Sequence, residues 1–181
     1  PKFNPKKHDL SNLNDLFIQF KQRSFDEEDK QIIFIKNYLR IICHYFDITQ
    51  KSSTNVLFKL SNLLNILFDY LDVIYVENAF FDDLLNQLLP DLNHLFELGF
   101  IGQDHSFFSL IINLYQSKKT HSDHLSKCYF YILDYRNFFA CLNDCSQCDF
   151  DHFEALLEKP YIINSLPYIE IVSAGLCFHF S

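Results

Sequence analysis

Residues 81–99 read FDDLLNQLLPDLNHLFELG, and this stretch indicates the fold class of the chain. Its leucines and phenylalanines recur at intervals of three and four residues, which is the spacing of one face of an α-helix. Asp91 follows Pro90, and the positive end of a helix dipole would favour this acid if a new helix started there. Gly99 ends it, as glycine often does after a last helical turn. The pattern predicts a helix that starts near Glu77 or Asn78 and that Pro90 either kinks or divides in two.

The same spacing recurs along most of the chain, interrupted by short polar loops typical of antiparallel helices. The motif SFDE at 24–27 is a capping box, whereas the apolar run after Pro167 fits a helix or a strand. No period of known helical repeats appears. The fold is therefore expected to be all-α, either an irregular helical bundle or a short α-solenoid-like array of about seven to nine helices. The predicted helices span about 9–23, 24–46, 52–75, 77–98, 104–116, 122–144 and 149–159.

The length and composition predict one helical domain covering residues 1–181. The chain has 181 residues, of which 49% are hydrophobic. A chain of this length buries roughly 70% of the surface that its unfolded form exposes, so its core needs no covalent support. The sequence contains no Met and ends in the apolar run AGLCFHFS. These two features predict a domain excised from a longer protein.

Several protein classes are excluded by what the sequence lacks. With only three glycines, neither G-x-G-x-x-G nor G-x-x-x-x-G-K can be formed, which excludes nucleotide-binding folds of those two kinds. The first ten residues lack the apolar segment of a signal peptide. The most apolar window, 56–76, contains Lys59, Asp69 and Asp72, so no membrane span is expected. These observations predict a soluble protein of the cytoplasm.

Three cysteines, Cys141, Cys145 and Cys148, follow the C-x3-C-x2-C spacing of radical-SAM iron–sulfur enzymes. Those enzymes place the motif before most of their barrel, whereas here it lies near the end of a helical chain, so that class is excluded. Four ligands at steps of four, three and four along one helix would extend over about 16 Å, too far for one zinc ion. A site built from Cys145, Cys148 and His152 is the weaker alternative to buried core cysteines. No cofactor is expected.

A second candidate for chemistry is the thiol of Cys128, with His124 one helical turn away. A cysteine beside a histidine is the arrangement of thiol nucleophiles. Cys128 nevertheless falls on the apolar side of its predicted helix, where a thiol is inert. With no secretory context, all six cysteines are expected to be free thiols.

Charge is distributed unevenly along the chain. No Lys or Arg occurs between Lys59 and Lys118, and the eight acids of that stretch equal the formal net charge of −8. A long stretch without cations repels nucleic acid and favours basic partners. A solvated helix face is the alternative interpretation.

The 21 Phe and 10 Tyr exceed what the core of a small bundle needs. Adjacent pairs such as Phe80-Phe81, Phe107-Phe108 and Phe138-Phe139 cannot both point inward on one helix, so part of the aromatic surface is expected at an interface. The leading hypothesis is a protein–protein interaction domain that binds a partner with a basic surface through apolar helix faces rimmed by acids, and the alternative is a metal- or thiol-dependent enzyme. The candidate binding residues are Asp69, Asp72, Glu77, Phe80, Asp82, Asp83, Asp91 and Glu97.

The abundance of Asn, Ile, Phe and Lys resembles that of proteins from AT-rich genomes, including intracellular bacterial pathogens. Secreted effectors of such bacteria often contain helical domains. The resemblance implies a bacterial effector that acts in the host cytosol.

Overall fold

The computed structural model describes residues 10–22, 28–49, 54–77, 81–99, 104–144, 149–165 and Tyr168. This part of the chain forms eight α-helices and no strand, which confirms the predicted all-α fold class. The helices are α1 Leu10–Gln22, α2 Glu28–Thr49, α3 Thr54–Glu77, α4 Phe81–Glu97, α5 Ser106–Ser117, α6 Asp123–Asn143, α7 Phe150–Leu157 and α8 Pro160–Ile163.

Contacts divide the chain into two compact units, Pro1–Leu88 and Leu89–Ser181, and the division falls within α4. The single domain over 1–181 stays a prediction, which unfolding measurements test. Among the helices that the structure describes, none is long and apolar enough to cross a membrane.

In the first unit, α3 packs against both α1 and α2. The centre of this core is Phe17, which is fully buried. Its ring centroid lies 4.6 Å from that of Tyr38 and 5.6 Å from that of Tyr70, whose ring meets it edge-on. Phe20 and Phe34 stack beside it with centroids 4.0 Å apart. Offset and edge-on ring pairs add to the stability that burial alone supplies.

In the second unit, α6 packs against α5 and α7, and α7 packs against α8. Phe107 and Phe108 of α5 are both buried, so the prediction that these adjacent rings could not both point inward is wrong. The buried Tyr135 hydroxyl on α6 shares its proton between the carbonyl oxygens of Tyr161, at 2.8 Å, and Phe96, at 3.1 Å. Gly99 has a φ of +81° and lies against the end of α8. A Cβ at Gly99 would come within 2.7–2.9 Å of backbone atoms of Tyr161, Asn164 and Ser165. Only glycine fits this position without strain.

Helix α4 is one helix that runs through Pro90, so the alternative in which Pro90 opens a new helix is wrong. Proline has no N–H to donate to the carbonyl four residues earlier, which here belongs to Asn86. Both Pro90 and Asn86 are exposed, so water can satisfy that carbonyl. The described part of α4 begins at Phe81. Helix α3 continues to Glu77, so a start of α4 at Glu77 is wrong, whereas the alternative start at Asn78 lies outside the described residues.

The helix starts of the second unit test the predicted caps. Ser122 caps α6 as expected, because its side chain accepts a hydrogen bond from the backbone N–H of Leu125 at 3.2 Å. The cap of α5 is His105 rather than Asp104 or Ser106, since its Nδ1 accepts from the N–H of Phe107 at 3.0 Å. Asp149 lies at the N-cap of α7 without a side-chain cap bond.

Two sequence predictions lie outside the described residues. They are the capping box at 24–27 and the conformation of the apolar run after Pro167, of which only Tyr168 is described. The short helix α8 was not predicted. Pro160 occupies its first turn, a position where the missing N–H costs nothing.

Candidate functional site

The α3–α4 corner is formed by Val73 and Tyr75 near the end of α3 and by Asp82 and Asp83 in the first turn of α4. The rings of Tyr75 and the buried Phe81 hold the two helix ends together, edge to face, with centroids 5.0 Å apart. Val73 is 55% exposed and Tyr75 is 45% exposed. Both aspartates are also exposed. The corner therefore presents apolar surface next to two acids.

The predicted binding acids differ in exposure. Asp69 and Glu97 are exposed, like the two acids of the corner, whereas Asp72 and Asp91 are half-buried. Asp69 precedes Val73 by one helical turn, so those two side chains share a face of α3. Phe80 and the side chain of Glu77 lie outside the described residues.

One lysine of the first unit approaches the corner indirectly. Gln87 donates a hydrogen bond from Nε2 to Asp83 Oδ2 at 3.3 Å, and Lys36 Nζ of α2 donates to Gln87 Oε1 at 3.4 Å. The amide thus lies between the cation and the acid. Lys36 modulates the negative field around Asp83 without forming a direct ion pair with it.

Asp104, the last acid of the cation-free stretch, is paired within the second unit. Its Oδ1 accepts from Arg136 Nε at 3.0 Å, and the same guanidinium donates to Ser109 Oγ at 2.9 Å. The charge of Asp104 is therefore matched by a residue far along the chain, and Asp104 is not part of the candidate surface.

The second candidate site contains Cys128, His124 and Asn93, all in the second unit. The Cys128 thiol donates to Asn93 Oδ1 at 2.9 Å. Asn93 Nδ2 in turn donates to the carbonyl oxygen of His124 at 3.0 Å and lies 3.2 Å from its Nδ1. The sequence predicted the pair of Cys128 and His124, but it did not predict that the side-chain amide of Asn93 contacts both residues.

This arrangement does not activate the thiol. Cys128 is fully buried, and burial raises the pKa of its thiol. A nucleophilic cysteine needs a lowered pKa and a base that accepts its proton, whereas here the proton goes to an amide oxygen. The geometry is that of a buried polar contact joining α4 to α6 within the second unit.

We expect Cys128 to react with iodoacetamide at pH 8 at least about a hundredfold more slowly in the native protein than in guanidinium chloride, because the raised thiol pKa and burial both suppress the thiolate. Mass spectrometry of the peptide that contains Cys128 measures the rate. His124→Ala should leave the native rate unchanged. Native alkylation as fast as that of the unfolded chain, or a slower rate in His124→Ala, would show an activated thiol.

The structure describes the oxidation state of three of the six cysteines. Cys43 and Cys128 are buried and form no disulfide, whereas Cys141 is disulfide-bonded, and neither of the first two is its partner. The expectation of free thiols throughout is therefore wrong for Cys141. That expectation rested on the lack of secretory context, which carries no information about the distances between cysteines.

The alternative metal site, built from Cys145, Cys148 and His152, stays a prediction. Among the residues that the structure describes, no group of three His, Cys, Asp or Glu side chains could hold a metal ion. His152 is exposed on α7, and Cys145 and Cys148 lie outside the described residues.

A polar cluster of Asp134, Lys159 and Tyr161 was not predicted from the sequence. Asp134 Oδ2 on α6 accepts from Lys159 Nζ and from the Tyr161 hydroxyl, each at 2.5 Å. Burial and the bond to Asp134 raise the pKa of Tyr161. These bonds join the start of α8 to α6. Local spacing could not predict them, because Asp134 lies 25 or more positions from both partners.

No protein-family model, no curated protein and no solved structure matches this chain.

Proposed function

We propose that this chain is a protein-binding helical domain whose α3–α4 corner receives a basic, partly apolar segment of a partner protein. The observation that supports the proposal best is the exposure of Val73 and Tyr75 beside Asp82 and Asp83. Apolar surface rimmed by polar or charged side chains is a feature of interaction surfaces.

The two kinds of side chain would have different roles in binding. Burial of Val73 and Tyr75 against a partner would supply affinity, because apolar contact contributes roughly 25 cal/mol per Å² removed from water. The aspartates would attract lysines and arginines of the partner and orient the encounter. Residues 60–117 contain no Lys or Arg, so any lysine or arginine near these acids belongs to another part of the chain, as Lys36 does.

Two synthetic helical peptides of about 18 residues test the proposal, each with one leucine face. The polar face of the first carries lysine and arginine, and that of the second carries glutamate. Fluorescence anisotropy at low salt should show binding of the basic peptide and none of the acidic one. Asp82→Asn/Asp83→Asn should weaken binding by about three- to tenfold, since each exposed charge pair contributes up to about 1 kcal/mol. Val73→Ser should weaken it as well.

Asp123→Asn/Asp151→Asn is the matched control. These two acids are exposed and occupy the first turns of α6 and α7, so the control changes charge and helix-end electrostatics equally. It should leave binding unchanged. Equal binding of the two peptides, or equal weakening by the control, would contradict the proposal. The bacterial-effector origin and the cytosolic location belong to the same proposal and rest on composition alone.

A further inference from the structure

A groove lies between α1 and α3 in the first unit. It has a volume of about 250 Å³. Pockets for drug-sized ligands start near 300 Å³, so this groove has room for a small molecule only. None of its lining residues belongs to the α3–α4 corner. The groove is lined by Leu10, Asn14, Lys59, Asn62, Leu63 and Ile66.

The helical spacing explains how these residues meet. Those from α3 recur at steps of three, one and three, and those from α1 are one turn apart, so each helix contributes a single face. The apolar members are half-buried or buried. The amides of Asn14 and Asn62 add hydrogen-bonding groups, with Asn62 exposed. The site combines an apolar floor with polar groups.

Of the described residues that line the groove, Lys59 alone is charged. The positions one helical turn away on α3 are Asn55, Val56, Asn62 and Leu63, none of which is acidic. Among the residues that the structure describes, no ion pair or hydrogen bond engages its ammonium group. Within the described residues, the groove therefore combines aliphatic walls with one cation that has no ion-pair partner.

We propose that the α1–α3 groove binds a medium-chain fatty acid, with its aliphatic tail against Leu10, Leu63 and Ile66 and its carboxylate at Lys59. A single ammonium matches the single charge of a carboxylate, and the amide N–H groups of Asn14 and Asn62 are donors for its oxygens. The small volume and the exposure of Lys59 set the affinity in the millimolar range. The site is independent of the proposed partner-binding surface.

The test titrates octanoate into the ¹⁵N-labelled full chain and follows amide chemical shifts by NMR. Saturable shifts should be confined to α1 and α3 and should include the side-chain amides of Asn14 and Asn62. Octylammonium has the same tail with the opposite charge, and it should bind at least about threefold more weakly. Butyrate should also bind more weakly, because its tail covers less of the apolar floor.

Substitutions of Lys59 test whether its ammonium group binds the carboxylate of octanoate. Lys59→Gln should lower the octanoate affinity by about threefold, and Lys59→Arg should restore it. Lys127→Gln removes an exposed lysine of α6 and should have no effect. Shifts that do not saturate, equal binding of octanoate and octylammonium, or an unchanged affinity in Lys59→Gln would each overturn the proposal. None of these outcomes bears on binding at the α3–α4 corner.

Discussion

Gly99→Ala is expected to lower the free energy of unfolding by about 2–4 kcal/mol, from backbone strain and steric overlap together. Gly99 has a φ of +81°, a conformation that costs an alanine roughly 1–2 kcal/mol. The added Cβ would also lie 2.7 Å from the Tyr161 carbonyl oxygen and 2.9 Å from the Ser165 nitrogen. Both are backbone atoms, so no side-chain rotation relieves the overlap.

Urea unfolding followed by far-UV circular dichroism measures this loss. Asparagine tolerates positive φ better than alanine does, so Gly99→Asn separates the two causes. If the overlap dominates, Gly99→Asn should be nearly as unstable as Gly99→Ala. Glu97→Ala, at the exposed end of α4, is the control and should change stability by less than about 0.5 kcal/mol. A wild-type unfolding midpoint in Gly99→Ala would contradict the packing of this turn.

Phe17→Ala is expected to cost about 3–5 kcal/mol, the range for removing a buried aromatic ring. Phe17 has no exposed surface, and its ring contacts Phe20, Phe34, Tyr38 and Tyr70. Its loss would leave a cavity and remove the favourable ring pairs of the first unit. The same urea titration measures the change.

Leu16→Ala is a closely matched control, because Leu16 is the preceding residue of α1 and is 49% exposed. It should cost less than about 1 kcal/mol, since little apolar surface is lost from the interior. Similar losses in the Leu16 and Phe17 variants would show that the aromatic cluster does not form the core of the first unit.

These two variants also test the single-domain prediction, because Phe17 and Gly99 belong to different units. If the chain unfolds as one domain, each variant should shift one common transition. A biphasic curve, in which each variant moves a different phase, would show two independently unfolding units.

The helices could be predicted from the sequence because their apolar spacing is local. The ends of the helices were harder to predict, since they depend on which backbone N–H and C=O groups find hydrogen-bond partners. Helix α3, for example, ends at Glu77 rather than near Tyr75 as predicted, because apolar spacing does not mark where the last helical turn closes. His105 was missed as a cap because histidine seldom fills this position.

The candidate sites depended on contacts between distant residues, which local spacing does not report. Cys128 and His124 lie one turn apart and were found, but Asn93 lies on another helix and receives the thiol proton. The charge count likewise identified Asp104 as part of the acidic stretch, although Arg136 pairs with it across 32 positions. The exposure of Asp82 and Asp83 follows from their polarity and their position in α4.

The most direct test of the proposed function is the rate at which the basic peptide associates with the wild type and with Asp82→Asn/Asp83→Asn. Stopped-flow fluorescence at about 20 mM and about 500 mM salt gives the ratio of the two rates under weak and strong screening. If the aspartates steer the partner, the variant should associate about threefold more slowly at low salt and as fast as the wild type at high salt. The same ratio at both salt concentrations would contradict the proposed role of the α3–α4 corner.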